Sequence, residues 1–258
     1  MKESIYTIPI SEAFGRLDGC PLCSLERGLE AASLEYVMGA AMMEPDVRAK
    51  TNEQGFCSAH LSKMLAMNNR LSLSLLLESH LIEIGKGLFA GAAARDGAGG
   101  GHAVNHAAVN HAGGHAARSK AAGGPTADAK KLKEASSRAA RSCFVCDRID
   151  GFMAHYYENI VYMWQAENEF RAKLAAQPFF CVRHYDALLG CAISHLGKKE
   201  RPAFAGALAG LCRAYAASLL EDVSAFCRSF DYRNAGAGVS TAAASAAERA
   251  AAFLAPNI

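Results

Sequence analysis

Residues 20–60 open with Cys20-Pro21-Leu22-Cys23 and close with Cys57-Ser58-Ala59-His60. The pattern returns as Cys143-Phe144-Val145-Cys146 and Cys181-Val182-Arg183-His184. The intervening stretches are 33 and 34 residues long. Between them recurs a second element: Glu44, Asp46 and Arg48 stand 24, 26 and 28 residues after Cys20, and Glu167, Glu169 and Arg171 stand at the same offsets after Cys143. An aromatic residue, Phe56 or Phe180, directly precedes each third cysteine. Matching features in one order at nearly equal spacing point to a duplicated unit of roughly forty residues.

The spacing has a chemical reading. In C-x2-C the backbone can turn both sulfurs toward one point, and thiolates suit a borderline-soft ion such as Zn²⁺. In C-x2-H the two donors lie about one helical turn apart, on one face of a helix start. Each half therefore offers three thiolates and one imidazole, a closed tetrahedral set. The expectation is one zinc ion on Cys20, Cys23, Cys57 and His60 and a second on Cys143, Cys146, Cys181 and His184. Each ion would clamp the base of a helical hairpin. Two other readings stay open: buried core thiols, and a dithiol redox pair in each C-x2-C. The redox pair lacks its usual βαβ setting here.

Around these motifs the chain reads as helix. Residues 22–38, 58–89 and 144–165 carry apolar side chains at three- and four-residue intervals, and 201–230 and 241–254 are Ala/Leu-rich. Only Ile5 to Ile10, interrupted by Pro9, reads as extended. The fold class expected is all-α, two duplicated zinc-clamped units packed as one helical bundle. Residues 91–130 hold 9 of the 23 glycines and no Leu, Ile, Phe, Tyr, Trp or Met. That composition reads as a flexible linker, dividing the chain into 1–90 and 131–258.

Composition narrows the function classes. The 258 residues carry 27 Lys+Arg against 25 Asp+Glu, a net charge of +2, which gives no electrostatic case for nucleic acid. The apolar stretch from Leu71 to Phe89 is broken by Glu78, His80, Glu83 and Lys86 and is not expected to span a membrane. The first residues show no apolar segment of a secretory signal. A soluble cytoplasmic protein is expected, with its nine cysteines reduced. No GxxxxGK[ST], GxGxxG, GxSxG or HExxH occurs.

The remaining candidates are weaker. Glu44, Asp46, Arg48, Glu167, Glu169 and Arg171 are either i,i+4 helix pairs, supports that offset the charge of a three-thiolate site, or a paired anion site. His102, His106, His111 and His115 have spacing suited to transient Zn²⁺ or Ni²⁺ binding, or are simply part of an unstructured tract. Cys191, Cys212 and Cys227 read as small buried hydrophobes. His80, His155 and His195 read as core or surface residues. Tyr156, Tyr157, Tyr162, Trp164 and Phe170 read as core, and Asp231 to Asn234 as a helix terminus.

CPLC, MMEPDVR, GFC-x2-H, CFVC, EFR, FC-x2-H and FDYRN together resemble an uncharacterised family of bacterial proteins described only as a domain of unknown function. The resemblance covers about 1–90 and 140–234 and implies a bacterial cytosolic protein with paired cysteine motifs, without implying an activity. Three functions follow as expectations. The first is a non-enzymatic zinc-stabilised scaffold or adaptor that binds a protein partner or small ligand between the units. The second is a redox- or metal-responsive regulator, and the third a nucleic-acid binder.

Overall fold

A computed structural model describes residues 5–88, 129–231 and 238–255. Among them there is no strand; the elements are α1 (Thr7–Arg16), α2 (Pro21–Met38), a 3₁₀ turn (Ala40–Met43), α3 (Pro45–Gln54), α4 (Ser58–Ala66), α5 (Arg70–Leu88), α6 (Ala129–Ala139), α7 (Phe144–Ala166), α8 (Asn168–Ala175), α9 (Val182–His195), α10 (Arg201–Ser229), α11 (Thr241–Ala244) and α12 (Ala246–Leu254). The all-α expectation holds. The stretch from Ile5 to Ile10 is not extended, because Pro9 falls in the first turn of α1, where its missing N–H costs nothing. The periodic run 58–89 is two helices, parted at Met67 and at Asn68 with its φ of 59°.

The chain divides into two units, and the division does not fall at the Gly-rich segment. One unit comprises Met1–Val37 with Val145–Ile258; the other is Met38–Phe144, inserted between the two parts of the first. The expected boundaries of 1–90 and 131–258 are thus replaced. Composition marks where the chain loses apolar residues, whereas packing decides which helices share a core. Most of residues 91–130 lie outside the described residues.

In the discontinuous unit, α1 packs on α8 and the long α7, and their aromatic residues supply the core. Phe14 meets Phe170 at 5.0 Å between ring centroids and Phe180 at 6.1 Å. Trp164 meets Phe204 edge-on at 5.0 Å. Buried Gln177 donates through Nε2 to the Phe14 carbonyl, 2.7 Å away, fastening α1 to the end of α8. Tyr156, Trp164 and Phe170 are core residues as expected, while Tyr162 is exposed. Helix α10 buries Phe204, Leu208 and Leu219 and leaves much of its Ala/Leu surface outside. By length and composition it is the one helix among the described residues that could cross a membrane, a test that core helices of soluble proteins also pass. Because one face of α10 lacks a partner, Cys212 is half-buried and Cys227 exposed, against the expectation of buried thiols; Cys191 on α9 is also half-buried.

In the inserted unit, α3, α4, α5 and α6 pack around Val47, Met64, Leu73 and Leu76. The turn after α3 depends on Gly55, whose φ of 63° and ψ of −154° suit glycine. A Cβ at this position would lie 2.4 Å from Nε2 of His80. That imidazole is itself held by a 2.8 Å bond between its Nδ1 and the Asn52 carbonyl. The Gly55 carbonyl accepts from the Phe144 amide at 3.0 Å, tying the turn to the segment before α7.

Gly55→Ala should therefore destabilise the protein by about 1–3 kcal/mol. A lower denaturant midpoint in urea, with unchanged slope, is the expected reading; an unchanged midpoint would contradict this account of the turn.

Candidate metal centres

Each cysteine motif sits at a helix start. Cys20 immediately precedes α2, whose first residue is Pro21, and Cys23 lies in its first turn. Cys143 and Cys146 are placed in the same way about the start of α7. Cys57 and Cys181 are the N-cap residues of α4 and α9, both in extended backbone, and His60 and His184 follow within the first turn. Neither N-cap cysteine uses its side chain as a cap. The free N–H groups and the positive dipole end of a helix start favour thiolate over thiol.

The structure joins these motifs crosswise. Cys20, Cys23, Cys181 and His184 form one group, and Cys57, His60, Cys143 and Cys146 form another, with the ligand atoms of each group within 4.8 Å of one another. All eight expected ligands are used, but each C-x2-C meets the C-x2-H of the other half. The cause is helix length. At 1.5 Å per residue the 18 residues of α2 carry the chain about 27 Å away from Cys20, and the ten of α3 bring it back only about 15 Å. The imbalance is larger in the second half, where α7 has 23 residues and α8 has eight. A hairpin closing on its own base is out of reach.

In the first centre, Nδ1 of His184 lies 3.5 Å from Sγ of Cys20, 3.3 Å from Cys23 and 3.1 Å from Cys181. The sulfurs of Cys23 and Cys181 are 3.6 Å apart. In the second, Nδ1 of His60 lies 3.2 Å from Cys57 and 3.3 Å from Cys143. Cys146 is the fourth member; it falls just past the division between the units and is set beside Cys143 by the first turn of α7. Around a tetrahedral ion with bonds of about 2.0–2.3 Å, donor atoms stand about 3.3–3.8 Å apart. The observed separations match that geometry.

Behind the first centre stands a pair of residues that the motifs did not reveal. Glu26, with its side chain 4% exposed, lies with Oε2 3.3 Å from Nε2 of His184. Arg183 holds Glu26 as a fork: Nη1 donates to Oε1 at 2.8 Å and Nη2 donates to Oε2. A carboxylate on the outer nitrogen fixes the tautomer that presents Nδ1 to a metal. Burial alone would raise the Glu26 carboxyl, yet the bonds from His184 and Arg183 hold it below its ordinary value. Burial likewise pulls His184 down, but Cys181, Cys20 and Glu26 outweigh it and raise the imidazole to about 10. Hydrogen bonds from Cys20 and Cys23 push the Cys181 thiol far down, and the bond with Cys181 pushes Cys23 far up. The cluster thus draws positive charge toward its sulfurs, and a bound cation would displace the protons now serving that purpose. The sequence does carry a signal: Glu26 stands three residues after Cys23 on the face of α2 that buries Leu22 and Leu25. At the equivalent positions of the second half stand Ile149 and Ala59.

The symmetric charged residues do not play that supporting part. Arg171 donates from Nε to the Trp164 carbonyl at 2.6 Å and from Nη2 to that of Gln165 at 2.9 Å, with its guanidinium 4.8 Å from the Trp164 ring centroid. It closes the C-terminal turn of α7. Glu169 pairs with Lys173 at 3.0 Å on the surface. Glu44 and Glu167 are N-cap residues, Asp46 lies in the first turn of α3, and Arg48 follows within that helix. None of the six touches a cysteine or histidine of either centre, because the helices that carry them start away from the motifs. His102, His106, His111 and His115 lie outside the described residues, as do Tyr232 to Asn234.

The chain belongs to a family described as "Family of unknown function (DUF6062)", whose model matches residues 1–258. No curated protein and no solved structure matches the chain.

Crosswise pairing is tested by double substitution. Cys20→Ser with Cys57→Ser should abolish both centres, and Cys57→Ser with Cys143→Ser only one, read as bound metal per chain by elemental analysis. Pairing within halves would give the first variant one ion. Glu26→Gln should weaken metal binding at the first centre by about 10- to 100-fold and leave the second unchanged, as read by competition with a chromophoric chelator.

Proposed function

We propose that this member of the DUF6062 family is a zinc protein whose two ions are structural, and that it acts in the cytoplasm as a non-enzymatic scaffold or adaptor for a protein partner or small ligand. The observation that carries this reading is the completeness of each donor set. Three thiolates and one imidazole at tetrahedral separations satisfy a Zn²⁺ ion with protein atoms alone and leave no position for a reacting water. The soft sulfur ligands disfavour Mg²⁺ and Ca²⁺, which take oxygen. Such sites contribute binding free energy directly to folding, and the helices held by the motifs then present their outer faces to a partner.

A second reading, a thiol-based redox or metal-responsive regulator, has one observation of its own. A cavity of about 340 Å³ is lined by Cys20, Cys23, Arg27, Phe179 and Tyr215, so small molecules reach two sulfurs of the first centre. Peroxide could take two electrons from such a thiolate pair, forming a disulfide, reducing itself to water and releasing the ion.

One experiment separates the two readings. The scaffold reading expects two zinc ions per chain that remain bound under mild peroxide. Release at low peroxide, with disulfides Cys20–Cys23 and Cys143–Cys146 identified by peptide mapping, would replace it with the regulator. Fewer than two ions per chain in protein purified without chelator would overturn both.

A further inference from the structure

Away from the eight cluster ligands, the discontinuous unit gathers a different set of donors on its surface. His155 and Glu158 lie one turn apart on α7, and Cys191 and His195 lie one turn apart on α9. The Glu158 carboxylate faces two imidazoles at once. Its Oε2 is 3.7 Å from Nδ1 of His155, and its Oε1 is 3.9 Å from Nε2 of His195. All three side chains are about half exposed. Two residues on one face of each of two neighbouring helices is the arrangement from which helical proteins build metal sites.

The orientation of His195 favours a ligand rather than a plain ion pair. Its Nδ1 lies 3.0 Å from the Cys191 carbonyl, one turn back on the same helix. A carbonyl can only accept, so Nδ1 carries the proton and the neutral ring presents its Nε2 lone pair toward Glu158. A lone pair facing a carboxylate at 3.9 Å calls for a positive charge between them. The His155 ring is buttressed by Tyr6, with centroids 5.2 Å apart. Donors bound to one ion at about 2.0–2.2 Å lie about 3.3–3.6 Å apart, so these side chains need to close by only a few tenths of an ångström. Their exposure leaves them free to do so.

We propose that His155, Glu158 and His195 form a third metal site, for a divalent transition ion such as Zn²⁺. Imidazole and carboxylate donors suit that class of ion. The site differs in kind from the two cysteine centres: three protein ligands leave a coordination position open to solvent, and exposure makes the ion exchangeable. Cys191 is not part of the set, since its sulfur lies beside Nδ1 of His195, 3.5 Å away, and not beside the coordinating nitrogen.

The test is a Zn²⁺ titration of the full chain already carrying its tightly bound metal, followed with a fluorescent chelator. The expected result is a further ion of micromolar affinity, weakened at least about tenfold in Glu158→Gln and in His195→Ala, with the tightly bound metal unchanged. A chain with His102, His106, His111 and His115 replaced by Ala should keep the further ion. The proposal is overturned if wild type takes up no further ion, or if that ion survives Glu158→Gln and disappears with the four replaced histidines. Because tight and weak metal are counted separately, failure of the two cysteine centres would show as loss of the tight ions alone.

Discussion

The structure rests on one constraint: a thiolate cluster needs its donors at fixed separations, and the donors come from helix starts far apart in the chain. His184 meets Cys20 across 164 residues and Cys23 across 161, and His60 meets Cys143 across 83. Every sulfur and both imidazoles stand at or just inside a helix N-terminus, where unpaired N–H groups and the helix dipole favour negative charge. Four helix starts brought together in pairs would waste that field on water. Placing thiolates there lets the field stabilise the cluster, and lets the cluster stand in for the side-chain caps that Cys57 and Cys181 do not provide.

The two centres share a donor set without sharing surroundings. A zinc ion with three thiolates carries a formal charge of −1, which burial makes costly unless neighbours answer it. At the first centre the answer is Arg183, whose guanidinium is fixed by Glu26 while Glu26 in turn holds the outer nitrogen of His184. The side chain of His184 is fully buried, so its ring orientation is set by this pair and by packing near Tyr157, with ring centroids 6.3 Å apart. The second half carries Ile149 and Ala59 at the corresponding places, and neither can accept or donate through its side chain. The sequence duplicates the ligands but not the residues behind them.

Much of this was legible before any coordinates. Apolar periodicity located α2, α7 and α10 within a residue or two, and the doubled motif identified all eight cluster ligands. What spacing could not say is which motif meets which, because ligand spacing is a local property and pairing is a property of helix lengths. Comparing the 18 residues of α2 with the ten of α3 would have shown that the chain cannot return to Cys20. Pro9 misled in a similar way: it breaks a strand pattern, but it also fits the first turn of a helix. The Gly-rich segment misled about domains, since a composition shift inside an inserted unit looks like a shift between two. Glu26 was passed over because its neighbours Leu22 and Leu25 made that face of α2 read as ordinary core. His155 and His195 were unremarkable singly; only α7 and α9 lying side by side gives them a common carboxylate.

Crosswise pairing also changes what the ions stabilise. A clamp within each half would close a loop of under forty residues and leave the rest of the chain to fold by itself. The observed links close much longer loops, and the chain-entropy cost they remove from the unfolded state grows with loop length, by about 1 kcal/mol between such short loops and one of 161 residues. Position matters more than this increment. The first centre joins the N-terminal part of the discontinuous unit to its C-terminal part, which are otherwise interrupted by residues 38–144. The second draws together the two ends of the inserted segment, beside the bond from the Phe144 amide to the Gly55 carbonyl. An insertion splits its host unless both the host and the insert are fastened at the point of entry, and the two cysteine centres lie where those fastenings are needed.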